Sequence, residues 1–507
     1  MPNLADSVDA LDRGPGLVRG LGPVDAAMIV VGSMIGSGVF ITSAESARLI
    51  GSPGWLLVAW ALAGVLTIAG SLCCAELAAM MPRAGGQYVY LREAYGPAVG
   101  FLFGWSQFLV VQTGTIAAVA VAFAKFLGVF APSVAADNYL IAPQHLGPYA
   151  VGLSTQQLVA VAMIALLTAL NTRGLEAGKA VQNALTFIKT AALIGLIVVG
   201  VTVGLNANSA ARTSSWWDPS ANGWSPEVAQ PGLGLTGGLA LAMLLGRAMI
   251  GPLFSQSAWN NVTFTGGEVR DPGRNLPRAL LLGCGMVVLL YMLANVAYVV
   301  ALPLSDIQNA PSDRVATATM LSALGRWGAL AMSAAILIST FGCNNGLILA
   351  GARVFYAMAR DGLFFARAGT TNSRRVPAAA LVAQGLWAAL LTLPMTVALD
   401  KAGKITYGNL YGQILEYIIP ADLIFGAMMV GAVILLRRRA PAADRPYRTP
   451  GHPLPALIYI ALAALLVLDL LYLTPKTSGL GFAIVLAGIP VYLARSRFAR
   501  GSTVPLS

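Results

Sequence analysis

At residues 31–38 the sequence reads Val31-Gly32-Ser33-Met34-Ile35-Gly36-Ser37-Gly38, inside the first long apolar run of the chain (residues 23–47). Each interior glycine costs a helix about 1 kcal/mol relative to alanine, so this run is weakened near its middle. The sixth apolar run (236–266) is interrupted as well, because Gly251-Pro252 precedes Phe254-Ser255-Gln256-Ser257-Ala258. Unwound backbone is tolerated at membrane depth only where protein buries it or where it lines a cavity. We therefore predict two broken helices; the alternative is that small residues simply allow close helix packing.

The composition is that of an integral membrane protein. Of the 507 residues, 57% are hydrophobic and 10% are charged, whereas soluble domains have roughly 45–50% apolar and about 25% charged residues. A membrane-spanning helix needs about 20 apolar residues. Twelve runs are candidates: 23–47, 54–80, 97–130, 156–170, 180–204, 236–266, 277–302, 327–357, 377–399, 408–436, 453–474 and 479–495. The prediction is an all-α membrane protein with 12 transmembrane helices, since a membrane β-barrel would show short alternating segments.

The two interruptions lie five spans apart. Paired broken helices at matching positions are typical of inverted-repeat transporters, whose site lies between them. We therefore predict an inverted-repeat transporter built from two five-helix halves, with discontinuous helices 1 and 6. The predicted segments are a cytoplasmic tail (1–22), a first repeat (23–204), an extracellular loop (205–235), a second repeat (236–436), a basic cytoplasmic loop (437–452), and helices 11 and 12 with the C-terminal tail (453–507).

Basic residues gather on one side of this topology. If the N-terminus is cytoplasmic, most Lys and Arg residues lie in the cytoplasmic segments, and the outer loops keep only Arg48, Arg212, Arg314, Arg326, Lys401, Lys404 and Lys476. This asymmetry follows the positive-inside rule. It predicts a multi-pass protein of the inner (plasma) membrane with both termini in the cytoplasm. The net charge of +11 then reflects topology and contact with lipid rather than nucleic acid.

The chain shows no pattern typical of an enzyme or of a metal or cofactor site. All four cysteines lie inside predicted spans, so they have neither metal-ligand spacing nor access to an extracellular disulfide. A paired nucleophile and base, which an enzyme would need, does not appear. We predict no catalytic activity, no cofactor and no metal.

Backbone groups at the two breaks are suited to a zwitterion. The N–H groups at the start of a half-helix attract an anion, and the carbonyl groups at the end of one attract a cation. We predict that Gly36-Ser37-Gly38 binds the carboxylate of an amino acid and that carbonyls around Met34, Phe254 and Ser257 bind its ammonium. The predicted substrate-binding residues are Met34, Ile35, Gly36, Ser37, Gly38, Phe254, Ser255, Gln256, Ser257 and Asn260.

Ionisable residues inside the spans are candidates for coupling or structural roles. Lys189 lies about nine residues into the fifth span, roughly 13 Å deep, where it either braces the carbonyls of the first helix or extends to the cytoplasmic face. Glu76 is predicted to be a structural anchor that pairs with an arginine or a helix end. Arg247 either lines an outer vestibule or pairs with Glu416. Two more intramembrane residues have no assignable partner: Lys125 and Asp422.

Several motifs together resemble the amino acid–polyamine–organocation (APC) superfamily, and within it the L-type amino acid transporter group and bacterial amino acid permeases. They are Gly36-Ser37-Gly38-Val39-Phe40, Ala75-Glu76-Leu77 with Gly85-Gly86-Gln87-Tyr88, Trp259-Asn260 with Glu268, Arg274-Asn275-Leu276-Pro277, and Gly351–Gly362. The resemblance implies a 5+5 inverted-repeat core of the leucine-transporter type, two peripheral helices and alternating access. It also matches Lys189 to the fifth-span lysine of sodium-independent members. The loop at 131–155 has no cysteine, so the disulfide-linked heavy-chain partner of animal relatives is not expected.

The sequence therefore predicts a secondary active transporter of neutral amino acids that is sodium-independent and works by exchange or proton coupling. A carrier of cationic amino acids or polyamines is the alternative. Its cleft would need acidic residues, and Glu416 is the plausible candidate. A receptor built on a transporter fold or a channel is less favoured, because a channel would show rings of charge or a repeated filter.

Overall fold

The computed structural model describes residues 17–146, 149–206, 215–399, 405–409 and 411–501. In chain order, the helices of the first half are α1 (Pro23–Met34), α2 (Gly38–Ile41), α3 (Ser43–Ile50), α4 (Pro53–Met80), α5 (Gln87–Tyr95), α6 (Pro97–Ser106), α7 (Gln112–Leu127), α8 (Thr155–Thr172), α9 (Leu175–Asn206) and α10 (Pro226–Ala229). A π-helical turn at Gln107–Val111 joins α6 to α7.

The helices of the second half are α11 (Gly237–Ala248), α12 (Ile250–Ser255), α13 (Asn261–Phe264), α14 (Pro272–Ala301), α15 (Leu304–Gln308), α16 (Val315–Arg360), α17 (Ala378–Leu390), α18 (Tyr411–Arg439), α19 (Leu454–Leu473) and α20 (Pro475–Gly501). Within the described ranges, eleven helical segments are long and apolar enough to cross a membrane. The chain is therefore a multi-pass helical protein.

The first membrane helix is interrupted after Met34. It begins at Pro23, where the proline ring presets the backbone angle and the Asp25 carboxylate accepts the N–H of Gly22 at 2.9 Å. Ile35 is extended, with φ −74° and ψ 91°, and helical structure resumes at Gly38. The predicted break at Gly36-Ser37 is present.

The sixth predicted span is interrupted as well. α12 ends at Ser255, and regular helix returns only at Asn261. Between them Ala258 has φ +64°, the left-handed region that side chains other than glycine rarely adopt. Pro252 lies in the first turn of α12, where a missing N–H costs little. The break thus begins after Ser255 rather than at the proline.

The two breaks are enclosed by long helices. α14 packs against α1 and α4, while α9 packs against α14 and α16. Close packing depends on small residues: a Cβ on Gly283 of α14 would lie 2.7 Å from a methyl carbon of Val30 in α1. The residues of both breaks are therefore in the protein interior and do not face lipid.

The ninth predicted span is shorter than expected. The helix α17 has 13 residues and ends at Leu390, and the chain then forms strand β3 (Pro394–Leu399). The prediction that this span continues to residue 399 is wrong. The last residues of the predicted span are mostly apolar, and hydropathy alone does not distinguish a helix from a strand there. The β-branched Thr396 and Val397 favour a strand.

Strand β3 belongs to a four-stranded antiparallel sheet that the sequence did not predict. Its order is β1 (Tyr139–Leu146), β2 (Tyr149–Ser154), β3 and β4 (Ile405–Asn409). In the central strand pair, β2 and β3, Ala150 lies opposite Met395. The sheet thus joins the loop before α8 to the loop before α18.

Some predictions fall on residues outside the described ranges. They include most of the N-terminal tail (1–16), residues 207–214 of the predicted extracellular loop, Lys401 and Lys404.

Candidate functional site

The two breaks touch each other. A Cβ on Gly38, the first residue of α2, would lie 2.2 Å from Oγ and 2.8 Å from Cα of Ser255, at the end of α12. One turn further along, the hydroxyls of Thr42 and Ser255 are 3.3 Å apart. The residue at 38 must therefore be glycine for the backbones to approach this closely. Close packing, the alternative explanation for the small residues, therefore applies to Gly38 together with the helix break.

Carbonyl groups at the end of α1 already accept hydrogen bonds from neighbouring helices. Tyr291 of α14 donates to the carbonyl of Met34 at 2.8 Å. Ser339 of α16 donates to the carbonyls of Ile35 and Gly36, at 3.1 and 3.2 Å. A carbonyl oxygen has two lone pairs, so a ligand ammonium at Met34 would share that oxygen with Tyr291.

Lys189 is fully buried and points into the first break. Its ammonium donates to the carbonyl of Gly32 at 2.5 Å and to the carbonyl of Ile35 at 2.8 Å. The expected contact with α1 is therefore present, and the side chain does not extend to the cytoplasmic face. Burying an unpaired ammonium would be expensive, so the two carbonyls stabilise the charge while the lysine holds the broken end in place.

Lys189 is part of a polar stripe on α9 that the sequence reasoning missed. Gln182 and Thr186 both contact the carbonyl of Met28 in α1, at 3.4 Å each. Positions 182, 186 and 189 are spaced i, i+4 and i+7, which places them on one face of a helix. That spacing of polar residues inside an apolar span was the signal available in the sequence.

The second break is stabilised largely by its own residues. The carbonyl of Phe254 accepts the N–H of Ser257 at 3.1 Å and its hydroxyl at 2.7 Å. The amide group of Gln256 donates to the carbonyl of Trp60 at 3.2 Å. Asn260 donates to the side chain of Gln87 at 2.6 Å. The predicted binding residues of this break thus lie together, and Asn260 is engaged with α5.

Two small cavities adjoin the second break, with volumes of about 30 and 20 Å³. The first is lined by Leu66, Thr67, Leu253, Gln256, Ser257, Trp259, Ile419, Asp422, Leu423 and Tyr459. The second is lined by Gln107, Val111, Gln112, Thr115, Ser257, Ala258, Asn260, Asn261, Phe264, Leu347, Ile418 and Asp422. A single water needs roughly 10–15 Å³, so each cavity has room for only one or two waters, and an amino acid would enter only after helices move.

The predicted binding residues divide into two groups around these cavities. Gln256, Ser257 and Asn260 line them. The remaining predicted residues are buried and do not line the cavities: Met34, Ile35, Gly36, Ser37, Gly38, Phe254 and Ser255. Asp422, which sequence reasoning noted without assigning a partner, lines both cavities.

Glu76 lies in a dense set of hydrogen bonds at the end of α4. Arg437 of α18 binds both of its carboxylate oxygens, at 2.6 and 2.8 Å. The backbone N–H of Thr449 donates to it at 2.8 Å, and Arg445 approaches to 3.5 Å. The side chain therefore fastens the basic loop after α18 to α4, which is an anchoring position remote from both cavities.

Arg247 and Glu416 form an ion pair of 3.3 Å between α11 and α18. Arg247 also donates to Gln230 at 2.9 Å, and Glu416 accepts a hydrogen bond from Thr477 at 2.8 Å. Pairing, the second of the two interpretations of Arg247, is what the geometry supports. Neither residue lines the cavities at the second break.

A buried ion pair that the sequence reasoning missed joins the segment after the second break to α16. Arg353 donates to both carboxylate oxygens of Glu268, at 2.8 and 3.0 Å, and both side chains are only 1% exposed. Paired contacts of this kind have fixed geometry. The residues are far apart in the sequence, so only the motifs that contain them hinted at their importance.

Tyr88 and Arg92 of α5 both contact Asp361, the residue after α16, and the tyrosine donates at 2.6 Å. Burial, followed by this carboxylate, raises the pKa of Tyr88 above its ordinary value. The phenol therefore stays protonated and keeps its hydrogen bond. α5 is thus fastened to the end of α16 on the same side of the protein as the predicted cytoplasmic loops.

Comparison with known proteins agrees with this architecture. The sequence model of the amino acid permease family matches residues 21–494. The chain belongs to this family. Among its relatives, the large neutral amino acids transporter small subunit 2 of Rattus norvegicus is 30% identical, over 94% of this chain and 81% of the relative.

Two further members of the permease family are similar over nearly the same length. The serine/threonine exchanger of Bacillus subtilis is 30% identical, covering 94% of this chain and 97% of the relative. The Asc-type amino acid transporter 1 of Mus musculus is 28% identical, covering 94% of this chain and 81% of the relative. The predicted resemblance to amino acid transporters is therefore confirmed at the level of the family.

Proposed function

We propose that this permease is a secondary active transporter that carries neutral amino acids across the plasma membrane by alternating access. The observation that carries the proposal is the direct contact of two buried helix breaks, at Gly38 and Ser255. Broken helices expose main-chain dipoles of both signs, and these suit a zwitterion. The names of the relatives, which include a large neutral amino acids transporter and a serine/threonine exchanger, favour the same substrate class.

The proposed architecture is a 12-helix protein with two inverted repeats, residues 23–204 and 236–436, and two peripheral helices. α17 would complete the count as a short ninth span. The basic residues of the predicted inner loops favour cytoplasmic termini. All four cysteines are unpaired and buried, which favours function without a disulfide-linked partner.

Sodium independence is proposed from the position of Lys189. A sodium ion bound at a broken helix is coordinated by backbone carbonyls. Here the ammonium of Lys189 contacts the carbonyls of Gly32 and Ile35 and so supplies the positive charge itself. Transport would then be driven by exchange of one amino acid for another or by protons.

A competition experiment tests the proposal. Purified protein in proteoliposomes would take up a radiolabelled neutral amino acid, in competition with each of the twenty standard amino acids, with and without sodium and at two pH values. We expect neutral amino acids to compete and sodium to have no effect. Competition by none of the twenty, or uptake that requires sodium, would count against the proposal. Acceleration by internal substrate would identify exchange, and acceleration by external acid would identify proton coupling.

A further inference from the structure

The two cavities at the second break share one charged residue. Ser257 and Asp422 line both cavities, and every other lining residue is uncharged. Asp422 lies on α18, two residues after Pro420, and is partly buried. The site therefore presents a single carboxylate beside the broken backbone of α12 and α13.

Asp422 forms no hydrogen bond or ion pair in the part of the chain that the structure describes, and the neighbouring group that interacts with its charge is the phenol of Tyr459 in the same cavity. Each of the other acids considered for the site or its surroundings is engaged: Glu416 by Arg247 and Thr477, Glu76 by Arg437, and Glu268 by Arg353. An acidic group inside a membrane protein that lacks a partner is costly and marks a substrate or ion pathway.

Two amide side chains that share a cavity lining with Asp422 also have unused hydrogen-bonding atoms. Asn261 is 1% exposed, lines the second cavity and has no acceptor for its amide nitrogen among the described residues. Gln256 is 1% exposed, lines the first cavity and has no donor for its amide oxygen within the same set. Buried polar atoms are normally paired, so both atoms are available to a polar group of a ligand.

The unpaired groups define what that ligand group must supply. Asp422 and Gln256 offer acceptors, and Asn261 offers a donor. An aliphatic side chain in this position would leave all of them unsatisfied, and a site of buried polar groups rejects such a ligand strongly.

We propose that Asp422 is a specificity-determining residue that accepts a hydrogen bond from an O–H or N–H donor on a substrate side chain. This permease then favours polar amino acids over aliphatic ones of the same shape. The inference rests on the proposed function, because it places the side chain of a transported amino acid beside the second break.

Isosteric pairs of competitors test the inference. Threonine and valine differ by a hydroxyl in place of a methyl, and 2,4-diaminobutyrate and norvaline differ by an ammonium in place of a methyl. In the uptake assay we expect the donor-bearing member of at least one pair to compete about tenfold better or more, because a hydrogen bond to a charged group is strong. The threonine pair reports a hydroxyl donor, and the diaminobutyrate pair reports a cationic one.

Variants assign the preference to Asp422. Asp422→Leu should reduce the preference in either pair to less than about threefold, while Asp422→Asn should keep a hydroxyl preference but lose an ammonium preference. Asp469→Asn is the matched control, because Asp469 is a carboxylate in α19 that lines neither cavity. It should leave both ratios unchanged.

The outcomes separate this inference from the proposed function. If amino acids compete but the two members of each pair compete equally well in the wild-type protein, the specificity role is wrong and the proposed transport function stands. This test uses the wild-type protein alone, so it does not depend on whether a variant folds. If Asp422→Leu keeps the full preference, another residue provides it and the inference also fails. If no amino acid competes at all, the proposed function itself fails.

Discussion

The ammonium of Lys189 lies 2.8 Å from the carbonyl oxygen of Ile35, the residue at which the first membrane helix loses its regular backbone. The same ammonium contacts the carbonyl of Gly32, one turn earlier. One side chain of α9 therefore ties together the last helical turn and the break. The position of the break depends on this lysine as well as on the glycines around it.

Replacing Lys189 should impair transport more than stability. Lys189→Met keeps the length of the side chain but removes the donor from two buried carbonyls, which costs about 1–3 kcal/mol. We expect uptake in proteoliposomes to fall at least about tenfold while the purified protein stays monodisperse. Lys179→Met, on the same helix, removes a partly exposed ion pair with Glu176 and should keep most of the uptake. Equal activity of the two variants would argue against the role of Lys189.

The contact between the two breaks should not tolerate one added methyl group. In Gly38→Ala the new Cβ would lie 2.8 Å from the backbone Cα of Ser255, so the half-helices must move apart at a cost of about 1–3 kcal/mol. We expect uptake to fall at least about tenfold. Gly285→Ala in α14 is the control: no atom lies within 4 Å of its new Cβ, and alanine favours a helix. Full activity of Gly38→Ala would show that the breaks need not touch during transport.

The left-handed backbone of Ala258 predicts a stabilising substitution. An alanine in this region costs roughly 1–2 kcal/mol, whereas glycine adopts it freely but loses more entropy on folding. Ala258→Gly should therefore raise the free energy of unfolding by about 0.5–1 kcal/mol, seen as a higher thermal midpoint in detergent. Ala335→Gly, inside α16, should lower the midpoint. A lower midpoint for Ala258→Gly would mean that the methyl group packs favourably in the second break.

The buried pair of Glu268 and Arg353 should show strong coupling. Arg353→Met leaves a carboxylate with 1% exposure without its partner, which costs about 3–5 kcal/mol. The double variant Glu268→Leu with Arg353→Met removes both charges and should recover much of the lost stability. A double-mutant cycle of thermal stability measures this coupling. Glu45→Gln serves as comparison, because its pair with Arg48 is exposed and should contribute about 1 kcal/mol or less. Additive losses at Glu268 and Arg353 would contradict the prediction.

Sequence reasoning predicted well the features that depend on the local amino-acid composition. Glycines at 32, 36 and 38 and the polar run after Phe254 mark the two breaks, because neither stretch forms a stable regular helix. The depth of Lys189 in an apolar span likewise indicated an inward-facing charge. These properties depend on neighbours along the chain, which the sequence contains directly.

What the sequence did not predict depends on residues that are distant along the chain. Glu268 and Arg353 meet only through the packing of α16, and Asp422 and Glu416 lie on one helix although only Asp422 lines the cavities. Hydropathy likewise treats Pro394–Leu399 as part of a span, whereas pairing with β2 makes it a strand. Tertiary contacts decide all three cases.

The sheet formed by β1–β4 places a mechanical constraint on any conformational cycle. Main-chain hydrogen bonds between β2 and β3 connect the segment before α8 to the segment after α17. We expect α8 and α17 to shift together, since sliding one against the other would break this ladder. We then expect the cavities to open through the short helical pieces around Gly38 and Ala258, which can tilt against α8 and α17.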